Sequence, residues 1–234
     1  IHQGNPELLY NHRRPWVDHV CIQHPDVQRT VNWRTDFGKP LVNDELQYEG
    51  DIIQTWGNIT AEELTHRFWI TTLRGGYAGH GETYNDPDDL IWWAKGGKLH
   101  GQAWQRLKWL RELLEADVES GLEPLGKYSS FPFGRISGGM DPASQVRFIY
   151  FGEHQPKIWS TGLPTDGGDY DVDLMTSQKA VKLKQGKFIE IELENMKTTN
   201  LRVIAAADGG GAPGAESSML KIKGTEIRQE LDSL

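Results

Sequence analysis

Glu45 and Glu82 are the side chains whose type and placement best suit chemistry. Each falls late in a segment that begins like a strand, Glu45 in Lys39-Pro-Leu-Val-Asn-Asp-Glu-Leu-Gln-Tyr-Glu-Gly50 and Glu82 in Arg74-Gly-Gly-Tyr-Ala-Gly-His-Gly-Glu-Thr-Tyr84. In parallel α/β architectures the carboxyl ends of strands hold working groups rigidly, and the loops that follow supply substrate contacts. Two carboxylates facing one cavity suit glycosidic cleavage, in which one donates a proton and the other attacks the anomeric carbon or activates water. Tyr48, Glu49, His24, His80, Trp56, Trp92 and Trp93 fall in loops on the same side of such a layout. Tryptophan faces there could stack on the apolar faces of sugars, although packing of the loops would use them equally well. The acids also admit a purely structural use, since Glu45 and Glu49 could pair with Arg13, Arg14 or Arg74.

Other chemistries lack their signatures. His24, His66, His80 and His100 accompany abundant acids, but no His-Glu-x-x-His helix or tight Cys/His cluster is present, so neither a metal nor another cofactor is expected. Gly-x-Ser-x-Gly does not occur, and Arg135-Ile-Ser-Gly-Gly139 falls in a linker-like stretch rather than at a strand-to-helix elbow. The glycine-rich run Asp208 to Gly214 lacks the Lys-Ser/Thr ending of a phosphate loop. Cys21 is the single cysteine, which rules out an internal disulfide and suits a small core residue.

A formal charge of −8, from 33 acidic and 25 basic residues, argues against nucleic acid or an anionic membrane as partner. No apolar run approaches the roughly 20 residues of a bilayer span. The opening Ile1-His-Gln-Gly-Asn-Pro has no signal-peptide character, and a start on Ile1 suggests a trimmed end; a cytoplasmic location is favoured over a secreted one.

The elements that must position these groups follow from periodicity. Pro15 to Gln23 reads as a strand stopped at Pro25, and Val27 to Asp36 as a helix with Asp26 as N-cap and Gly38 as C-cap. The strand at Leu41 comes next. Thr60-Ala-Glu-Glu63 is a capping box, with Thr60 reaching the amide of Glu63 and Glu63 reaching back. It opens a helix that buries Leu64, Phe68 and Trp69. Gln102 to Glu115 is a third helix with a stripe of Trp104, Leu107, Leu110, Leu113 and Leu114. Strand and helix alternate, so the first half reads as parallel α/β, with too few strands to close a barrel. Beyond about Ser120 the composition shifts to Gly, Pro and Ser. Short runs of strand type then succeed one another, at 146–151, 157–159, 170–174, 180–183, 188–193, 201–206 and 218–222, as in a small antiparallel β domain.

The Lys39–Gly50 segment, then Trp56-Gly-Asn-Ile-Thr-Ala-Glu-Glu63, then Arg74–Tyr84 with Trp92-Trp93, resembles the last strands of a bacterial glycoside-hydrolase-like (β/α)8 barrel family related to apiosidase-type and cellulase-type retaining glycosidases. The resemblance covers roughly residues 15–115, and Phe148 through Ala206 is similar to the β-sandwich that trails such barrels. It implies the C-terminal portion of a TIM barrel over residues 1–119, a linker at 120–142 and a β-sandwich at 143–234. It implies Glu45 as nucleophile at the end of strand seven, with Tyr48, Glu82, His80, Trp56, Trp92 and Trp93 lining the sugar cleft. The acid/base of such enzymes comes from strand four, which this chain lacks, so the chain alone is expected to be inactive. Expected partners are a carbohydrate and either the remaining barrel fragment or a second copy covering the open barrel edge. A non-catalytic carbohydrate- or protein-binding module is the competing reading.

Overall fold

A computed structural model describes residues 10–85, 98–125, 137–144 and 146–152, and the backbone of five later strands between 158 and 205. Trp92 and Trp93, the Asp208–Gly214 run and the expected strand at 218–222 lie outside the described residues.

The first half alternates strand and helix. β1 (Val20–Ile22), β2 (Leu41–Asn43) and β4 (Gly76–Ala78) form a parallel sheet in the order β1-β2-β4. Val20 pairs with Leu41 and Leu41 with Gly76, so the three strands end level with one another. A second, two-residue parallel pair, β3 (Glu49–Gly50) with β5 (Glu82–Thr83), continues beyond those ends. Helices α1 (Thr30–Phe37) and α2 (Ala61–Leu73) connect the larger strands, and α3 (Ala103–Asp117) follows β5.

The helix boundaries show which local signals operate. Asp26 accepts from the amide of Gln28, but it heads a short 3-10 turn, and the α-helix begins only at Thr30. Gly38 ends it at φ +62, a conformation glycine adopts without penalty. Thr60 accepts from the Glu63 amide at 3.2 Å, while the Glu63 carboxylate pairs at 2.8 Å with Arg67, one turn on. The first expected strand is shorter than its apolar pattern. Only Val20–Ile22 pairs, and Trp16 is 66% exposed.

Two cores follow. Val20, Ile22, Leu41 and Trp33 are buried together, with Phe37 packed against them, between the sheet and α1. The larger core joins Leu64, Trp69 and Leu73 of α2 to Leu110 and Leu113 of α3, and extends to Val146, Phe148 and Tyr150. Trp104 corrects the expected α3 stripe: it is 41% exposed. Together with Tyr77 and Leu107 it lines a groove of about 1330 Å³ between β4 and α3. Among the described residues β4 has a strand partner on one edge only, and nothing covers that side.

Past α3 the chain turns antiparallel. β6 (Glu123–Pro124), β7 (Ser137–Met140), β8 (Arg147–Tyr150), β10 (Tyr170–Leu174), β11 (Ala180–Leu183) and β13 (Asn200–Ala205) form one sheet in the order β11-β10-β13-β8-β7-β6. β9 (Ile158–Thr161) pairs with β12 (Ile189–Glu192). β6 and β7 come from the stretch read as linker, and they bring the sheet onto α2. There Trp69 stacks on Tyr150 at 5.2 Å, His66 Nδ1 lies 2.8 Å from the Tyr150 hydroxyl, and the buried Arg74 donates to Ser137 Oγ.

Asp141 fastens the junction. Fully buried, it accepts from the Ser120 and Ser144 hydroxyls and from the amides of Glu119, Ser120, Ala143 and Ser144. Burial alone would raise its pKa, but the bonds from Ser120, Glu119, Ser144 and Ala143 outweigh it and hold the carboxyl well below the usual range. A depressed carboxyl contributes stability that is full above its unfolded value of about 3.9 and is lost as pH falls below it. Asp141→Asn is therefore expected to lower the urea midpoint at neutral pH and to weaken the loss of stability on acidification below about pH 4, as measured by tryptophan fluorescence.

Candidate functional site

The level strand ends bring three short segments to one rim: Gln23 and His24 after β1, Asp44 and Glu45 after β2, and Gly79 to Gly81 after β4. Main-chain bonds hold them in register, from the Asp44 amide to Ile22 O at 3.1 Å and from the Gly79 amide to Asn43 O at 2.9 Å. Beneath the rim the buried Asn43 accepts from the His24 amide and donates to the His24 carbonyl at 2.9 Å. A polar side chain buried with its hydrogen bonds made in this way fixes the β1–β2 corner.

Glu45 is half-buried on this rim. The Gln23 side-chain amide donates to its Oε1 at 3.3 Å, and the Tyr48 phenol lies beside the same carboxylate. Burial, reinforced by the charges of Glu45 and Asp44, raises the Tyr48 phenol far above its ordinary value, so it remains a donor at any working pH. Both neighbours are neutral, and Gln23 orients the carboxylate. Gln23 escaped the sequence reading, although its position one residue past β1 on the strand-end rim was the available signal. Cys21 is half-buried rather than core; its thiol donates to Asp44 Oδ2 at 3.3 Å, and burial together with Asp44 raises its pKa.

Tyr48 reaches Glu45 because the chain doubles back. Gln47, at φ +84, is the only described non-glycine residue in the left-handed region, and its side chain donates to Thr55 O at 3.1 Å. Such strain persists only where surrounding bonds enforce it. The Tyr48 amide then bonds to Trp56 O at 2.9 Å, and the two rings meet edge-on at 6.0 Å. Trp56 is 41% exposed beside Tyr48. Two glycines press the third segment against the first two. A Cβ on Gly79 would lie 2.7 Å from Asp44 O, and one on Gly81 would lie 2.6 Å from the Tyr48 ring. His80, between them, is thus carried to the Glu45 rim.

Glu49 and Glu82 are placed differently. They are register partners in β3 and β5, 2% and 5% exposed. Glu82 Oε2 accepts from the amides of His100 and Gly101 at 2.6 and 2.9 Å. Glu49 accepts from the amides of Gln102 and Ala103 and from the Tyr84 hydroxyl, at 2.8 to 2.9 Å. Four consecutive amides at the start of α3 are therefore held by two carboxylates, an arrangement favoured by the positive end of the helix dipole. Burial, with the bond to Glu49, raises the Tyr84 phenol. Of the arginines considered as partners for these acids, Arg13 lies over the Phe37 ring at 5.0 Å. Among the described residues no group of three His, Cys, Asp or Glu side chains could hold a metal, and no helix is long and apolar enough to cross a membrane.

No protein-family model and no curated protein matches the chain. Solved structures do. A protein from Bacteroides vulgatus ATCC 8482 named as a candidate glycoside hydrolase superposes with a TM-score of 0.69 at 21% identity, over 85% of this chain and 43% of its own. A glycoside hydrolase family 5 protein from the same organism gives 0.56 at 15% identity, over 83% and 52%. A further glycoside hydrolase gives 0.59 at 12% identity, over 86% and 55%. The chain thus has a glycoside-hydrolase-like fold and spans about half the length of these neighbours.

Two substitutions test this geometry by thermal unfolding. Gly79→Ala meets main chain that no rotamer change relieves, and should cost about 1–3 kcal/mol. Glu49→Ala strands buried donors at the α3 N-terminus and should cost roughly 3 kcal/mol, whereas Glu112→Ala on the exposed face of the same helix should stay within about 0.5 kcal/mol.

Proposed function

We propose that this chain is the C-terminal portion of a retaining glycoside hydrolase barrel followed by a β-sandwich, and that Glu45 is its nucleophile. The observation that carries the reading is the environment of Glu45. Glu45 is half-buried after β2, takes the Gln23 side-chain amide and lies beside Tyr48, while Glu49 and Glu82 are committed to main-chain amides. The fold likeness to glycoside hydrolases supports it.

In this mechanism a sugar lies over the rim, with one face against Trp56. One Glu45 oxygen is held by Gln23, and its carboxylate attacks the anomeric carbon as the glycosidic C–O bond breaks. A second carboxyl, about 5–5.5 Å away in retaining enzymes, protonates the departing oxygen and then activates the water that releases the glycosyl ester. That acid/base is supplied from outside this chain. A covering partner is part of the proposal. The free edge of β4, Tyr77 at 64% exposure within it, and the groove against α3 favour either the complementary barrel portion or a second copy of this chain.

In the complete protein, Glu45→Gln should lower turnover of aryl β-glycosides by on the order of 10⁴-fold or more. A 2-deoxy-2-fluoroglycosyl fluoride should label Glu45, as read by peptide mass spectrometry. Unchanged hydrolysis in Glu45→Gln would overturn the assignment and favour a non-catalytic binding module. Tyr48→Phe keeps the ring and removes the hydroxyl beside Glu45, and should lower kcat roughly ten-fold. Light scattering should find the 234-residue chain associated with itself or with the complementary portion; a monomer with a closed, exchange-protected core would contradict the covering partner.

A further inference from the structure

We infer that His80 is a substrate-positioning residue of this rim and that Glu82 sets its tautomer from behind, an inference that rests on the glycan-binding reading of the site. Glu82 is fully buried at its side chain, and its two oxygens differ. Oε2 takes the amides of His100 and Gly101, whereas Oε1 is buried with no hydrogen-bond partner. A buried carboxylate oxygen left without a donor is costly unless something approaches it. What approaches is His80 Nε2, at 3.7 Å. A small rotation of the partly exposed imidazole brings this into hydrogen-bond range.

The consequence concerns the other ring nitrogen. Facing a carboxylate, Nε2 carries its proton whether the ring is neutral or charged, so the neutral ring keeps a lone pair on Nδ1. A carboxylate behind an imidazole fixes tautomer and ring orientation in the same way when the other nitrogen binds a metal. Here no metal cluster faces the ring among the described residues, and the partner suited to an Nδ1 lone pair is a hydroxyl. The packing of Gly79 on Asp44 and of Gly81 on Tyr48 ties His80 to the same rim as Glu45, so a sugar seated on that rim presents hydroxyls to it. Glu82 thereby becomes a positioning residue rather than a substrate contact, and its neighbour Glu49 anchors the same turn from the adjacent strand.

The test uses the full chain with 15N-labelled histidine, His80 being assigned through His80→Gln. Long-range 15N–1H spectra should show the Nε2–H tautomer, and titration with methyl β-D-glucoside, methyl β-D-xyloside and cellobiose should move the Nδ1 resonance with at least one sugar. Glu82→Gln should mix the tautomers while leaving the far-UV spectrum unchanged. If that variant unfolds, the wild-type tautomer and titration still decide. An Nδ1–H tautomer in the wild type, or an Nδ1 signal that none of the three sugars moves, overturns the proposal. Movement of Nδ1 in a complete protein that hydrolyses no glycoside would refute the nucleophile assignment and leave the positioning role standing. Where turnover is present, His80→Gln should raise KM roughly three- to ten-fold with kcat nearly unchanged.

Discussion

Two carboxylates, Glu49 and Glu82, sit side by side in the β3–β5 pair and take hold of four successive amides, from His100 to Ala103. Almost everything at the strand-end rim depends on that arrangement. Buried acids of like charge are unfavourable unless donors surround them, and the unpaired amides at the start of α3 are unfavourable unless acceptors reach them. Each set of groups satisfies the other. The start of α3 is thereby tied to the β3–β5 layer above the parallel sheet, while its Leu110 and Leu113 pack against α2.

This clamp also divides the acids by exposure. Glu49 and Glu82 are enclosed by main-chain amides, whereas Glu45, bonded to the Gln23 side chain, stays half-buried. The same economy recurs at the other end of the α/β unit, where the Asp141 carboxylate gathers hydroxyls and amides from the end of α3 and from the β7–β8 turn. Acidic side chains thus anchor main chain at both ends of α3. This accounts for part of the acidic excess without any need for cationic partners.

The antiparallel sheet docks on α2 through aromatic stacking and a buried arginine, and its edge strand β6 contributes Glu123 to the groove between β4 and α3. Among the described residues one face of the α/β unit is covered by that sheet, and another carries exposed aromatic side chains. Tyr77 and Trp104 lie on the second, and the chain spans about half the length of the solved structures that share the fold. Large aromatic residues left exposed along a strand edge commonly mark a contact surface.

Local chemistry determined much by itself. The order of strands and helices was legible from periodicity, the Thr60 cap from a side chain that reaches its own third neighbour, and the end of α1 from a glycine that accepts positive φ. That the acids of the Lys39–Gly50 segment follow a short strand was legible too, because Leu41 and Val42 are apolar. What each acid does was not. Glu45, Glu49 and Glu82 look alike along the chain, and their separation into one half-buried group and two buried anchors is made by amides 18 to 54 positions away. Gln23 and Glu45 meet only because the strands end level, and Trp104 fits a helical stripe whose covering surface is not among the described residues. Periodicity reports which face of an element is apolar. Only tertiary structure decides what, if anything, lies against it.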